Sequence, residues 1–201
     1  MAALALTGYV AFILLGCVGR TGLQYWHTGD HGLRMHTHRL NSIESAAGAL
    51  FLAGALAAGI APTLALLGLA APTSGIDSTV SHLAGIVSMA LGLIVTIAAQ
   101  LQMGASWRIG VDSREATRLV TTGLFAYVRN PIFTGTTLTA LGMLLMVPTL
   151  ITVFALAAVV AGVQLQVRQV EEPYLLRLHR EHYRTYASAV GRFLPYIGRL
   201  S

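Results

Sequence analysis

Two polar clusters flank a long stretch that has no charge. Arg129, Asn130 and Pro131 precede it, and Arg168, Glu171 and Glu172 follow it, while residues 132–167 carry no ionisable acid or base of the Asp, Glu, Lys or Arg type. An uncharged run of that length exceeds one bilayer crossing, which takes about 20 apolar residues. Pro148 interrupts it near the middle, where a proline removes a backbone donor and clashes with the preceding turn. The run therefore reads as a tight helical hairpin, about 132–147 and 149–168, and its two ends must lie close together. Arg129 and Asn130 are then brought near Arg168, Glu171 and Glu172 at the membrane surface. Charged residues that converge at a lipid boundary are a site candidate by default. The alternative is that they are snorkelling helix ends.

The rest of the chain supplies the frame for that cluster. Of 201 residues, 55% are hydrophobic and 10% are charged, which makes the chain a membrane protein. All 13 basic residues are arginine. Arginine keeps its charge and meets carboxylates and phosphates through a planar fork. The single Cys17 lies in an apolar segment and excludes a disulfide framework.

Apolar runs at about 2–19, 44–70 and 80–104 each suffice to cross a bilayer. The first has no basic residue before Arg20, the reverse of a secretory signal, so it reads as a transmembrane helix. With the hairpin, five transmembrane helices are expected. An amphipathic helix follows them in the tail. The fold class is all-α and integral to the membrane, one domain over 1–201, with three N-terminal spans in 1–104.

Loop charges give the orientation. The loops 20–43 (Arg20, Arg34, Arg39) and 105–130 (Arg108, Arg114, Arg118, Arg129) and the tail are basic, whereas 71–79 and the turn at Pro148 are not. Basic loops stay in the cytoplasm. The N-terminus is expected outside and the C-terminus in the cytoplasm, in a bacterial-type plasma membrane. Gly48, Ala53, Gly54, Ala57 and Ala58 form a small-residue face suited to close helix packing, within the chain or in a homodimer.

The order of short motifs in the C-terminal half carries a resemblance. Leu119-Val120, Gly123, Arg129-Asn130-Pro131, an apolar hairpin, Glu171-Glu172, Tyr183 with Tyr186, and Arg192-Phe193 with Pro195 follow one another over about residues 100–196. This order resembles the isoprenylcysteine carboxyl methyltransferases and the related phospholipid methyltransferases, both families of integral membrane enzymes. The resemblance implies S-adenosyl-L-methionine as cofactor and makes 105–201 the cofactor-binding catalytic half. By position it assigns the cofactor contacts to Thr117, Arg118, Leu119, Val120, Phe125, Asn130, Pro131, Ile132, Phe133 and Glu171. Arg168, Glu171 and Glu172 become the catalytic candidates, with Arg168 facing the acceptor. The eukaryotic prenylcysteine enzymes have His where Asn130 stands. Asn can donate and accept hydrogen bonds but takes no proton near neutral pH, so Asn130 would position ligand.

Several roles stay open at this level. Arg129 pairs with a carboxylate or with a lipid phosphate. Tyr127, Tyr183 and Tyr186 stack on adenine, face the sulfonium, or belong to the helix core. A carboxylate acceptor needs no general base, whereas an amine or thiol would call on Glu171, Glu172 or His179. The loop histidines His27, His31, His36 and His38, with Asp30, match no trusted metal spacing, and no metal is expected. Expected partners are a lipophilic small molecule or lipid entering from the bilayer and the membrane lipids themselves, with no nucleic acid. The competing readings are a membrane reductase using a nicotinamide cofactor and a small transporter or structural membrane protein.

Overall fold

A computed structural model describes residues 1–32, 42–73, 75–107 and 118–200. Among them every regular element is helical. Helix α1 runs over Ala2–Thr28, α2 over Ile43–Leu66 and α3 over Thr79–Met103. Helix α4, Pro131–Met146, and helix α5, Leu150–Leu165, form the hairpin. A π-helical turn, Gln166–Glu171, joins α5 to α6, Glu172–Ala189.

Four of these helical stretches are long and apolar enough to cross a membrane: α1, α2, α3 and the 40-residue run that contains α5 and α6. The chain is thus an integral membrane protein built on helices. The hairpin's first arm, α4, is apolar but only 16 residues long, about 24 Å at 1.5 Å per residue. Four long helices and one short one therefore stand where five spans are expected from sequence.

Local chemistry sets most of the ends. Ser42 caps α2 and Ser78 caps α3, each accepting from a backbone N–H three residues on at 3.2 Å. Pro131 occupies the first turn of α4, where its missing N–H costs nothing. After Pro148, Thr149 and Thr152 cap one another reciprocally to start α5.

One boundary differs from the sequence expectation. The first helix does not stop near residue 19 but continues to Thr28. Nothing in 20–28 breaks it until Gly29 adopts the left-handed conformation at φ 70°. Arg20, assigned above to a loop, lies inside α1 and is buried. Its charge is accommodated because Nη2 donates to the Gly104 carbonyl at 2.6 Å and the guanidinium stacks 4.7 Å over the Trp107 ring. The last span runs directly into the amphipathic helix α6, as the sequence reading has it. The helix runs on through the π-turn, so Glu171 and Glu172 are helical residues.

Packing rests on glycine. A methyl added to Gly92 would lie 2.5 Å from the Gly135 carbonyl, and one added to Gly135 would lie 2.6 Å from that of Gly92. Gly85 and Gly142 face each other in the same way, which presses α3 onto α4 along its length. On α2 and α5, Gly54 lies against the backbone at Ala155 and Val159, and Gly162 against that at Ala47 and Phe51. The small-residue face expected on the second span is used here within the chain: Gly54, Ala57 and Ala58 are buried against α5, while Gly48 has open space. Helix α1 closes the bundle, with Ala5 packed on Met89, Met143 and Met146. The Tyr9 hydroxyl donates to Ala55 O at 3.0 Å.

Candidate active site at the start of the hairpin

The site begins where the chain turns into α4. Val128 bridges to Gly191, the Arg129 amide donates to Gly191 O at 2.8 Å, and the Asn130 amide donates to Arg192 O at 3.1 Å. The Asn130 side-chain Nδ2 donates to the same Arg192 carbonyl at 3.0 Å. Thr134 Oγ1 donates to Phe193 O at 2.7 Å. Segments some sixty residues apart in sequence are thereby stitched together, and the loop after α6 is held over the first turn of α4.

Beneath this seam lies a buried ion cluster. Arg129 Nη1 donates to the carbonyls of Ala187 and Val190 at 2.6 and 2.9 Å. Those carbonyls end α6, where a cation complements the helix dipole. Arg129 Nη2 donates to Glu172 Oε1 at 2.6 Å and to Gly198 O at 3.1 Å. Arg192 completes the cluster, with Nε on Glu172 Oε1 at 2.7 Å and Nη2 on Oε2 at 2.9 Å. Arg129 therefore has a carboxylate partner, the first of its two expected roles. Both Glu172 oxygens are engaged by guanidinium groups.

Glu171 is placed differently. Consecutive helical residues point about 100° apart, so Glu171 cannot share the orientation of Glu172. It is half-buried, and Gln166 Nε2 approaches its Oε1 at 3.4 Å, at the long limit for a hydrogen bond. Lying past the apolar run, its carboxyl is pushed up to about 7, first by burial, with Gln166 opposing and the neighbouring Glu172 charge adding. No guanidinium pairs with it among the described contacts.

The other expected contacts fall around the same end of the bundle. Phe125 is buried, and its carbonyl accepts from the Tyr186 hydroxyl at 2.6 Å. Pro131 is buried, and Asn130, Ile132 and Phe133 are half-buried on the first turn of α4. No side chain caps that turn. Leu119 and Val120 are half-buried and Arg118 is exposed in the extended chain leading to Phe125, while Thr117 lies outside the described residues. Arg168 is exposed on the π-turn. Of the tyrosines, Tyr183 is a core residue, edge-on to Tyr186 with centroids 6.1 Å apart, and Tyr127 is exposed. His31 stacks on Tyr25 at 4.4 Å, and His36 and His38 lie outside the described residues.

Three residues outside the assigned cofactor and catalytic sets help to build the site, Tyr186 among them in a role other than those left open for it. Arg192 doubles the cation on Glu172; its presence in the Arg-Phe-x-Pro motif was the available signal. Tyr186 anchors Phe125 through its hydroxyl. Gln102, at the end of α3, accepts from the Leu124 amide at 2.8 Å and fixes the segment that enters the site. Only the last had no motif to announce it.

The phospholipid methyltransferase family profile matches residues 80–182, half of the chain, from α3 through the hairpin into α6. The chain belongs to the phospholipid methyltransferase family. No curated protein matches its sequence. Among solved structures, its fold is similar to that of the eukaryotic intramembrane Ras methyltransferase ICMT, isoprenylcysteine carboxyl methyltransferase. The TM-score is 0.51 at 18% identity, over 78% of this chain and 53% of the other, so the chain spans about half the length of that protein. Within this phospholipid methyltransferase-family chain the profile takes in Arg129, Asn130, Glu171 and Glu172. Arg192, which completes the ion cluster, lies beyond it.

Proposed function

We propose that this family member transfers a methyl group from S-adenosyl-L-methionine to a lipophilic, membrane-associated acceptor at the cytoplasmic face. A carboxylate acceptor is favoured. The observation that carries the reading is the unequal use of the two glutamates. Glu172 is clamped by Arg129 and Arg192, which leaves Glu171 beside it as a carboxylate with only a long contact to Gln166. Family membership supports methyl transfer over the reductase and transporter readings.

The residues present suit the cofactor. Glu171 would bind its ammonium group. The uncapped first turn of α4 offers backbone donors at Ile132 and Phe133 to acceptor atoms of the ligand. Asn130 already donates through Nδ2 to Arg192 O, so it holds the loop over α4 and keeps its side-chain Oδ1 for ligand. Phe125, Leu119 and Val120 give apolar walls, with Arg118 at the entry. The cofactor supplies an electrophilic methyl on a sulfonium centre. The chain supplies position and a low dielectric. A carboxylate acceptor and a sulfonium lose their opposite charges as the reaction proceeds, so a dry site favours the transition state and no general base is required. Arg168, exposed beside the π-turn, would steer an anionic acceptor. Glu172, held between two cations, serves as the positioning residue for Arg129 and the Arg192 loop.

The topology follows the same reading: α4 completes five crossings, with the N-terminus outside and the arginine-rich end in the cytoplasm. The test is calorimetric binding of S-adenosylhomocysteine to the purified protein, with Glu171→Ala and Asn130→Ala alongside. Saturable binding that is lost in Glu171→Ala and weakened in Asn130→Ala is expected. Absence of binding to folded wild-type protein would overturn the proposal.

A further inference from the structure

The loop that closes the ion cluster has an outer surface unlike that of a soluble tail. Leu194, Tyr196 and Ile197 are 53%, 78% and 63% exposed. Arg199 stacks its guanidinium 4.9 Å over the Tyr196 ring. Two apolar residues and a tyrosine with a cation on its face would be a poor surface in bulk water.

The depth of this loop is set by what it touches. Phe193, like Phe133 on the first turn of α4, packs on the buried cluster of Ala140, Val159, Val163 and Val167, from α4, α5 and the π-turn. The Thr134 hydroxyl holds its carbonyl. The loop therefore lies at the level where α4 enters the apolar bundle. Other exposed aromatic residues occur at the same end: Tyr127, 68% exposed, just before α4, and Tyr25 and Trp26, 52% and 77% exposed, at the end of α1. At the opposite end the large exposed side chains Leu69, Val80 and Leu150 are aliphatic. Tyrosine and tryptophan collect at the headgroup level of a bilayer, where one part of the ring is apolar and one part wet.

We infer that the loop Phe193–Arg199 docks into the lipid leaflet on this side of the bundle. Leu194 and Ile197 enter the interface, Tyr196 lies at headgroup depth, and Arg199 meets lipid phosphate. Charge complementarity favours anionic phospholipid. Arg177, Arg180 and Arg184 on α6 are also exposed, against a single exposed carboxylate, Glu181, which lies 3.8 Å from Arg184. Basic side chains at a membrane surface are attracted to anionic lipid. The inner face of the same loop carries Arg192 on Glu172 and the Gly198 carbonyl on Arg129. Lipid contact on the outside thus holds the ion cluster closed on the inside.

The test uses a spin label at Ile197→Cys in a Cys17→Ala background, in lipid nanodiscs of phosphatidylcholine with and without phosphatidylglycerol. A label at Tyr196→Cys serves as the second probe and one at Glu181→Cys as the aqueous reference. Power saturation then compares relaxation by oxygen, which concentrates in lipid, with relaxation by a water-soluble nickel chelate. Oxygen is expected to dominate at 197 and to exceed its effect at 181 severalfold. Arg199→Glu is expected to shift the balance at 197 toward nickel, and more so in the discs with phosphatidylglycerol. Nickel dominance at both 196 and 197 would place the loop in water and overturn the inference. So would dipolar broadening between singly labelled copies, which would mean that a second chain covers the loop.

Discussion

Replacing Glu172 with alanine would strip the counter-charge from two guanidinium groups at once. The Arg129 side chain is 1% exposed and that of Glu172 7%, so water cannot take over the lost contacts. Arg129 would keep the carbonyls of Ala187, Val190 and Gly198, but Arg192 would lose both of its charged hydrogen bonds here. Breaking a buried ion pair by removing one partner costs about 3–5 kcal/mol. For a chain of this size each kcal/mol moves the melting midpoint by about 2–4 °C. The expected fall is therefore at least about 6 °C and up to about 20 °C, read from the folded fraction that survives heating in detergent. Glu172→Gln, which keeps the shape and loses the charge, should fall between wild type and Glu172→Ala. Combining it with Arg192→Gln should cost less than the sum of the two, because the two side chains share one interaction. Glu171→Ala, by contrast, should leave the midpoint unlowered. A loss below about 2 °C for Glu172→Ala, or equal losses for the two alanine variants, would refute the division of labour between the glutamates.

Other consequences can be checked in the same preparations. Burial raises the Glu171 carboxyl from its ordinary value to about 7, so in the free protein ionising it is unfavourable. The stability associated with its neutral form is present below pH ~4.5 and is lost as pH rises through about 7. Glu171→Gln should accordingly gain stability over wild type above pH 7 and converge with it in acid. Because a ligand ammonium needs the carboxylate, S-adenosylhomocysteine affinity should fall toward tenfold per pH unit below about 7, and Glu171→Gln should abolish that slope. Tyr186→Phe removes the 2.6 Å bond to Phe125 O and should cost about 1 kcal/mol, with weaker S-adenosylhomocysteine binding if Phe125 lines the pocket. Gly92→Val forces side-chain atoms onto the backbone of α4 near Gly135 and should cost about 1–3 kcal/mol or abolish folding, measured by recovery of monodisperse protein.

The elements that could be read from sequence were those whose cause is local. The hairpin was visible because the uncharged run is too long for one crossing and Pro148 lies within the turn that divides it. The small-residue face of α2 was visible because close helix approach in lipid depends on side-chain size alone. The length of α1 was not visible. A buried arginine looks like a loop residue until Gly104 O and Trp107, more than eighty residues away, are placed beside it. Likewise the hairpin rule brought Arg129 close to Glu171 and Glu172, but it could not say which glutamate Arg129 would take. That choice depends on the π-turn, whose wider winding sets the rotation of α6 about its axis, and on Arg192 arriving from the far side.

Why two glutamates stand together where one carboxylate would bind a cation follows from the helix itself. Side chains about 100° apart cannot both face the protein interior and the ligand side of the same turn. Glu172 faces inward, where two arginines compensate its charge and fix the height and rotation of α6 against the start of α4. Glu171 is then carried on a rigid element, with no arginine on it and a proton affinity raised by its surroundings. On the proposed reading a single glutamate would have to serve both purposes, and pairing it with Arg129 would remove it from the ligand binding proposed for Glu171. Moving the pair by one position should therefore fail even though the composition is unchanged. In Val170→Glu combined with Glu172→Val, the inward carboxylate is lost while Glu171 stays in place. That variant should show the midpoint loss expected of Glu172→Ala, about 6 °C or more. A variant as stable as wild type would show that the order of the two carboxylates on this helix is not what holds the site.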